Sequence, residues 1–243
     1  MNITNKNISN LTSLWKLINT QVGTRIEEKT FEYGSAHYSD WPNRLWFHNS
    51  PDLESITSAK KIIASSPVKL TIPYWHIYND DSHTLLEKNG FSKVFEQTGM
   101  FLSLENYRKN SEGLKLKKVD NKESAILWED LLQKAFKYKV SHKLLLQSYN
   151  EVDFMIAQDQ NGPVGTVVLH STSPNILGIH AMGIIPEMRG KGLAEKMMHT
   201  VLSRGLEQGM ENVTLQASDM GKNLYLKLGF KEHFKMSNYI LQS

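Results

Sequence analysis

The chain has 243 residues, 40% of them hydrophobic, with 28 Lys plus Arg against 25 Asp plus Glu and no Cys, which is room for one large or two small soluble domains. The missing thiol excludes a disulfide framework, a thiolate zinc site, an iron–sulfur cluster and a cysteine nucleophile. A formal net charge of +3 is too small to argue for nucleic acid or an anionic membrane, whose binders concentrate basic residues in a patch.

No run approaches the ~18 to 20 apolar residues of a membrane-spanning helix. The start, MNITNKNISNLTSLWKLI, lacks the basic, apolar and small-residue succession of a signal peptide, so a cytoplasmic protein is expected. Residues 41–47 (WPNRLWF) are read as packing between two halves of the chain, with the lining of a ligand pocket as the alternative. Residues 53–64 suit a helix and residues 68–72 a strand. His76, Asp80, Asp81 and His83 offer metal-ligand atoms but read as a polar turn after that strand, and no metal is expected. Tyr74, Trp75 and Tyr78 are assigned to core or interface.

A basic run at 106–118 (NYRKNSEGLKLKK) interrupts the apolar pattern and divides the chain into 1–110 and 111–243. Beyond it the spacing predicts a strand at 114–119, a helix at 123–136, strands at 152–158 and 164–170 around a Gln-Asn-Gly-Pro turn, and a third strand at 176–185. A helix follows Gly192 and weakens at Gly205 and Gly209. A strand at 213–217, a short helix at 222–228 and a closing strand at 230–241 complete a β-α-β-β-β-α-β-α-β order. The first half ends similarly: Leu85-Leu86-Glu87-Lys88-Asn89-Gly90-Phe91 lies on Leu224-Tyr225-Leu226-Lys227-Leu228-Gly229-Phe230 at a constant offset of 139 residues, which reads as a weak internal repeat.

The sharpest feature is the run 184–194, a strand end, a Pro-containing turn and a Gly-rich loop opening into a helix. Glycines let the backbone approach a ligand, a helix N-terminus adds partial positive charge, and Arg189 and Lys191 add full charges, so a pyrophosphate is the natural guest. The spacing is neither a Walker A loop nor a dinucleotide fingerprint.

What the loop matches is Arg-x-x-Gly-x-Ala, and here the sequence resembles the GNAT superfamily of acyl-CoA N-acyltransferases, whose pattern is [QR]-x-x-G-x-[GA] between a central strand and a helix. The segment 217–230, ending in Leu-Tyr-x-Lys-Leu-Gly-Phe, is similar to a second motif of that family. The resemblance covers about 113–243. It implies a mixed α+β fold with a central, mostly antiparallel, splayed sheet flanked by helices, preceded by a smaller, degenerate GNAT-like domain.

It also implies acetyl-CoA as co-substrate and an amine, small molecule or peptide, as acceptor. By analogy the amides of Arg189, Gly190, Lys191, Gly192, Leu193 and Ala194 would hold the pyrophosphate of coenzyme A. Backbone groups of Met182, Gly183 and Ile184 would bond the pantetheine arm and the acetyl carbonyl, stabilising its developing negative charge. Tyr225 stands where the family places the Tyr that protonates the departing thiolate. Family members often carry Asn where this chain has Ser218.

A primary amine is neutral in only about one molecule in 2500 at pH 7, and His180, on the strand before the loop, is the candidate base or water relay. Without Cys, direct attack in a ternary complex is expected rather than an acetyl-cysteine route. The first half has Leu86 in place of Tyr225 and no Gly at 48–59, so it should bind no coenzyme A and should help shape the acceptor site. A non-catalytic coenzyme A-binding sensor remains the alternative, whereas a nucleic-acid binder would need a basic aromatic face.

Overall fold

The computed structural model describes residues 2–78, 80–110, 112–173 and 175–242. The amino-terminal segment, unassigned above, is a long helix, α1 (Ile3–Val22), capped by the Asn2 side chain on the amide of Asn5. Its buried face mixes Leu11, Leu14, Trp15 and Ile18 with Asn7, Asn10 and Asn19, so polar residues interrupt the apolar stripe by which an amphipathic helix is read.

Strands β1 (Thr24–Glu27), β2 (Phe31–Ser35) and β3 (Arg44–Phe47) form a separate antiparallel meander. Next come α2 (Leu53–Ser65), β4 (Ile72–Trp75), α3 (Ser82–Lys88) and β5 (Phe91–Ser103). The second half contains β6 (Lys115–Lys118), α4 (Lys122–Phe136), α5 (His142–Ser148), β7 (Asp153–Asp159), β8 (Gly162–Ser173) and β9 (Ile176–Ile184). It closes with α6 (Leu193–Glu207), β10 (Asn212–Ala217), α7 (Asp219–Lys227) and β11 (Lys231–Leu241).

The second-half order is the expected one with α5 added. In the first half, the strand expected at 68–72 lies instead at Ile72–Trp75 and contains Pro73. As an edge strand, β4 tolerates the missing N–H that argues against Pro in a central strand.

One sheet of eight strands, in the order β4-β11-β5-β10-β9-β8-β7-β6, joins the halves. The two are interleaved, since β5 lies between β10 and β11 while β4 pairs with β11. At the centre of the β5–β11 pairing, Gln97 faces Met236, and Glu96–Ser237 and Thr98–Lys235 fall symmetrically on either side. Gln97 and Met236 are 139 residues apart, the offset of the sequence repeat, so a pseudo-two-fold axis relating the halves passes through this pair.

Alternation along β8 supplies both faces of the sheet. Val167 and Leu169 join Met197, Val201 and Leu202 of α6 in one apolar cluster. Val168 joins Trp128 and Leu132 of α4, Leu145 of α5 and Leu14 of α1 in the other.

Candidate active site

Within the large sheet β9 and β10 are parallel neighbours, paired from Ile176–Asn212 to Ile179–Leu215. Past that point β9 continues through His180 to Ile184 and β10 through Gln216 to Ala217 without pairing each other, so the sheet opens into a V. A bulge in β9 sets this geometry. His180 faces Val168 and Gly183 faces Thr166, leaving Ala181 and Met182 opposite the single residue Val167. Ala181 takes φ 45°, a left-handed conformation uncommon outside glycine, and its carbonyl accepts from Thr166 Oγ1 at 3.1 Å.

The asparagines that obscured α1 seal the apex. Asn7 donates to the carbonyls of Met100 (2.9 Å) and Leu215 (3.3 Å), tying β5 to β10. Asn10 Nδ2 donates to the carbonyl of His170 at 2.9 Å, so its Oδ1 is an acceptor and His180 Nε2, 2.9 Å away, carries the proton. A Cβ on Gly178 would overlap that Asn10 oxygen, which is why glycine stands there.

The V continues into a cavity of about 440 Å³. His180, Met182, Gln216, Ser218 and Tyr225 line it from the second half, and Trp15, Trp41, Arg44, Thr71 and Gln97 from the first. The 41–47 segment thus does both things considered for it: Leu45, Trp46 and Phe47 are buried in the core, and Trp41 and Arg44 face the cavity.

Tyr225 is 8% exposed, its ring against Phe230. Its hydroxyl points at Met182 Sδ, 3.5 Å away. Burial pushes the phenol up to about 12, so it is a permanent donor near neutrality. His180 is driven down to about 3, first by burial and then by the neighbouring charge of His170. It is therefore neutral across the physiological range. Ser218 caps α7 by accepting from the amide of Gly221, and so keeps a structural task of its own.

The loop leading into α6 lies outside the cavity lining, at the end of β9. Gly190 and Gly192 hold φ of +74° and +71°, and a Cβ at either would meet nothing within 4 Å. Gly192 caps α6 with no side chain, leaving the first N–H groups of that helix uncovered. These features fit a phosphate-bearing ligand.

The Arg189 side chain turns away from that seat. Its Nε donates to the carbonyl of Ile184 (3.1 Å) and its Nη2 to that of Ala135 at the end of α4 (2.8 Å), so the guanidinium fastens the loop, and Lys191 is a second exposed cation there. Glu195 in the first turn of α6 is paired with Lys227 at 2.7 Å, which offsets the negative charge nearest the seat.

At the polar turn, Asp80 accepts from Ser50 (2.6 Å) and from the amide of Ser82 (3.0 Å). Among the described residues, the acidic and imidazole groups that converge are Glu27, Glu32 and His48, and Glu32 is already paired with Lys16 and Arg25.

Arg44, Trp15 and Gln216 were not singled out in the sequence as site residues. Their signal was faint: a lone Arg in an aromatic run, and a Trp on a helix masked by asparagines.

Residues 150–232 match the family model described as an acetyltransferase (GNAT) domain. Among solved structures, a GCN5-related N-acetyltransferase from Kribbella flavida superposes with a TM-score of 0.72 at 12% identity, over 98% of this chain and 96% of that one. A functionally unknown conserved protein from Staphylococcus epidermidis gives 0.65 at 17% identity over 91% and 94%. A tandem GNAT protein from the clavulanic acid biosynthesis pathway gives 0.58 at 12% identity over 90% and 78%. No curated protein matches the chain in sequence. Residues 150–232 thus match a GNAT acetyltransferase domain, and the solved structures share the fold of nearly the whole chain.

Proposed function

We propose that the protein is a cytoplasmic N-acetyltransferase that moves acetyl from acetyl-CoA to a primary amine by direct attack in a ternary complex, and that its chain divides at about residue 110 into a non-binding and a catalytic half. The observation that carries this reading is the V between β9 and β10, into which Tyr225 directs its hydroxyl beside Met182. An uncapped helix start at the end of β9 supports it.

In this reading the amides of Arg189 to Ala194 bind the pyrophosphate, and backbone groups of Met182, Gly183 and Ile184 bind the pantetheine arm and the acetyl carbonyl. The amine nitrogen forms a bond to the carbonyl carbon, the carbon–sulfur bond breaks, Tyr225 donates its proton to the departing sulfur, and the proton that the nitrogen sheds passes through water to restore the Tyr225 phenol. A phenol near 12 is a weaker acid than an ordinary thiol, but the burial that raises it also raises the basicity of a thiolate beside it. Met182 Sδ occupies a sulfur-accepting direction for that hydroxyl.

His180, at about 3, is too weak a base to hold an ammonium proton at neutral pH. We assign it a positioning task instead: its Nε2–H is committed to Asn10, and its ring lines the cavity beside Gln216. The amine then enters as the small neutral fraction. The test is thiol release from acetyl-CoA with a panel of amines, amino acids and peptides. Acceptor-dependent release is expected, and coenzyme A binding without release from any acceptor would overturn the assignment.

A further inference from the structure

The first half contributes two charged cavity groups, Asp40 and Arg44, that the acyl-transfer reading leaves without a task. Arg44, at the start of β3, holds its guanidinium 5.7 Å from the centre of the Trp15 ring. Its Nη1 donates to the carbonyl of Asn43 at 2.9 Å, and its Nε is enclosed with no hydrogen-bond partner. Among the described residues the arginine ion pairs belong to Arg25 and Arg204, and Arg44 makes none.

Asp40, which also lines the cavity, is already an acceptor, 2.7 Å from the amide of Lys139. Burial draws Arg44 down to about 10, which still leaves it charged at neutral pH. A cation taken out of water without a counter-charge is destabilising, and the planar guanidinium fork matches a carboxylate. Trp15 and Trp41 add flat apolar walls, and the volume of about 440 Å³ suits a small molecule.

We propose that Arg44 binds a carboxylate on the acceptor, so that the substrate class is small amines that also carry a carboxylate group, seated against Trp15 and Trp41. The proposal rests on the acyl-transfer reading for the amine but on the cavity alone for the carboxylate.

The experiment compares amino acids with their carboxamides and decarboxylated amines by thiol release, using the full chain. In the unaltered protein kcat/KM should favour the carboxylate over the matching carboxamide by about tenfold or more. In Arg44→Gln that ratio should fall toward one, and Arg44→Lys should recover part of it. Tryptophan fluorescence titrated with the N-acetylated acids reads binding without turnover. A saturable change is expected, weakened about tenfold or more in Arg44→Gln at an unaltered melting temperature.

A ratio near one in the unaltered protein, or one that Arg44→Gln does not move, overturns the proposal. If no amine releases thiol, the acyl-transfer reading falls and the fluorescence titration alone decides the carboxylate site. Should Arg44→Gln fail to fold, the unaltered ratio and Arg44→Lys decide it.

Discussion

In α3 and in α7 the same run, Leu-x-x-Lys-x-Gly-Phe, ends a helix and starts a strand, and the two glycines turn with φ of +88° at Gly90 and +90° at Gly229. One position inside the run separates their chemistry. Leu86 is fully buried among Ile56, Phe91 and Tyr239, whereas Tyr225 carries its hydroxyl through the core to the V beside Met182.

The helices upstream differ in the same sense. The start of α2 is closed by Asp52, which accepts from the amide of Ser55 while Ser55 Oγ accepts from the amide of Asp52. The start of α6 is closed by no side chain. The first half closes its helix start and buries its Leu, and the second half leaves the matching helix start without a side-chain cap and turns a hydroxyl to the V. In the proposed reading that difference, more than any change of fold, separates a scaffold from a catalytic site.

Exchanging the distinguishing groups should break this contrast if it is wrong. Tyr225→Phe should lower kcat by about 100-fold or more with little change in stability, and an undiminished kcat in the thiol-release assay would remove Tyr225 from the mechanism. Its counterpart Leu86→Ala should leave kcat alone and lower the unfolding free energy by about 2–5 kcal/mol in urea.

Where α1 seals the V, His170 and His180 are held near 4 and 3 by burial. Both folded values lie below the ordinary 6.5, so the unfolded chain binds more protons between them. Their contribution is fully present above about pH 6.5 and is lost as pH falls toward 4 and 3, on the order of 3 kcal/mol or more. Urea midpoints from pH 7 to 4 should fall accordingly. The kcat/KM profile should show no limb from His180 near pH 6 to 7 and should rise with deprotonation of the acceptor.

Gly192→Asp would place a carboxylate at the open helix start and should weaken coenzyme A binding about tenfold in calorimetry. Asp52→Ala, the matching change in the other half, should cost about 1 kcal/mol of stability and leave coenzyme A affinity unmoved.

Both signature motifs, the second-half element order and the repeat were legible in the sequence, because each rests on local physics. Glycines at positive φ, a Pro-containing turn and apolar spacing are dictated by residues within a few positions of one another. The helix α1 was not legible. Its asparagines face inward to bond the carbonyls of β5, β8 and β10, and that purpose exists only once those strands are beside it. Pro73 likewise argues against a strand until β4 is known to lie at a sheet edge.

By itself the sequence determined which half carries the Gly-rich loop before a helix and the Tyr of the repeated run, since those depend on short runs whose conformation is set locally. Only the tertiary structure decided that the halves exchange strands about Gln97 and Met236, that Arg189 fastens the loop to the end of α4, that His180 is held neutral, and that Arg44 lines a cavity shared by both halves. Each of these depends on burial or on partners more than thirty residues distant, which no local pattern encodes.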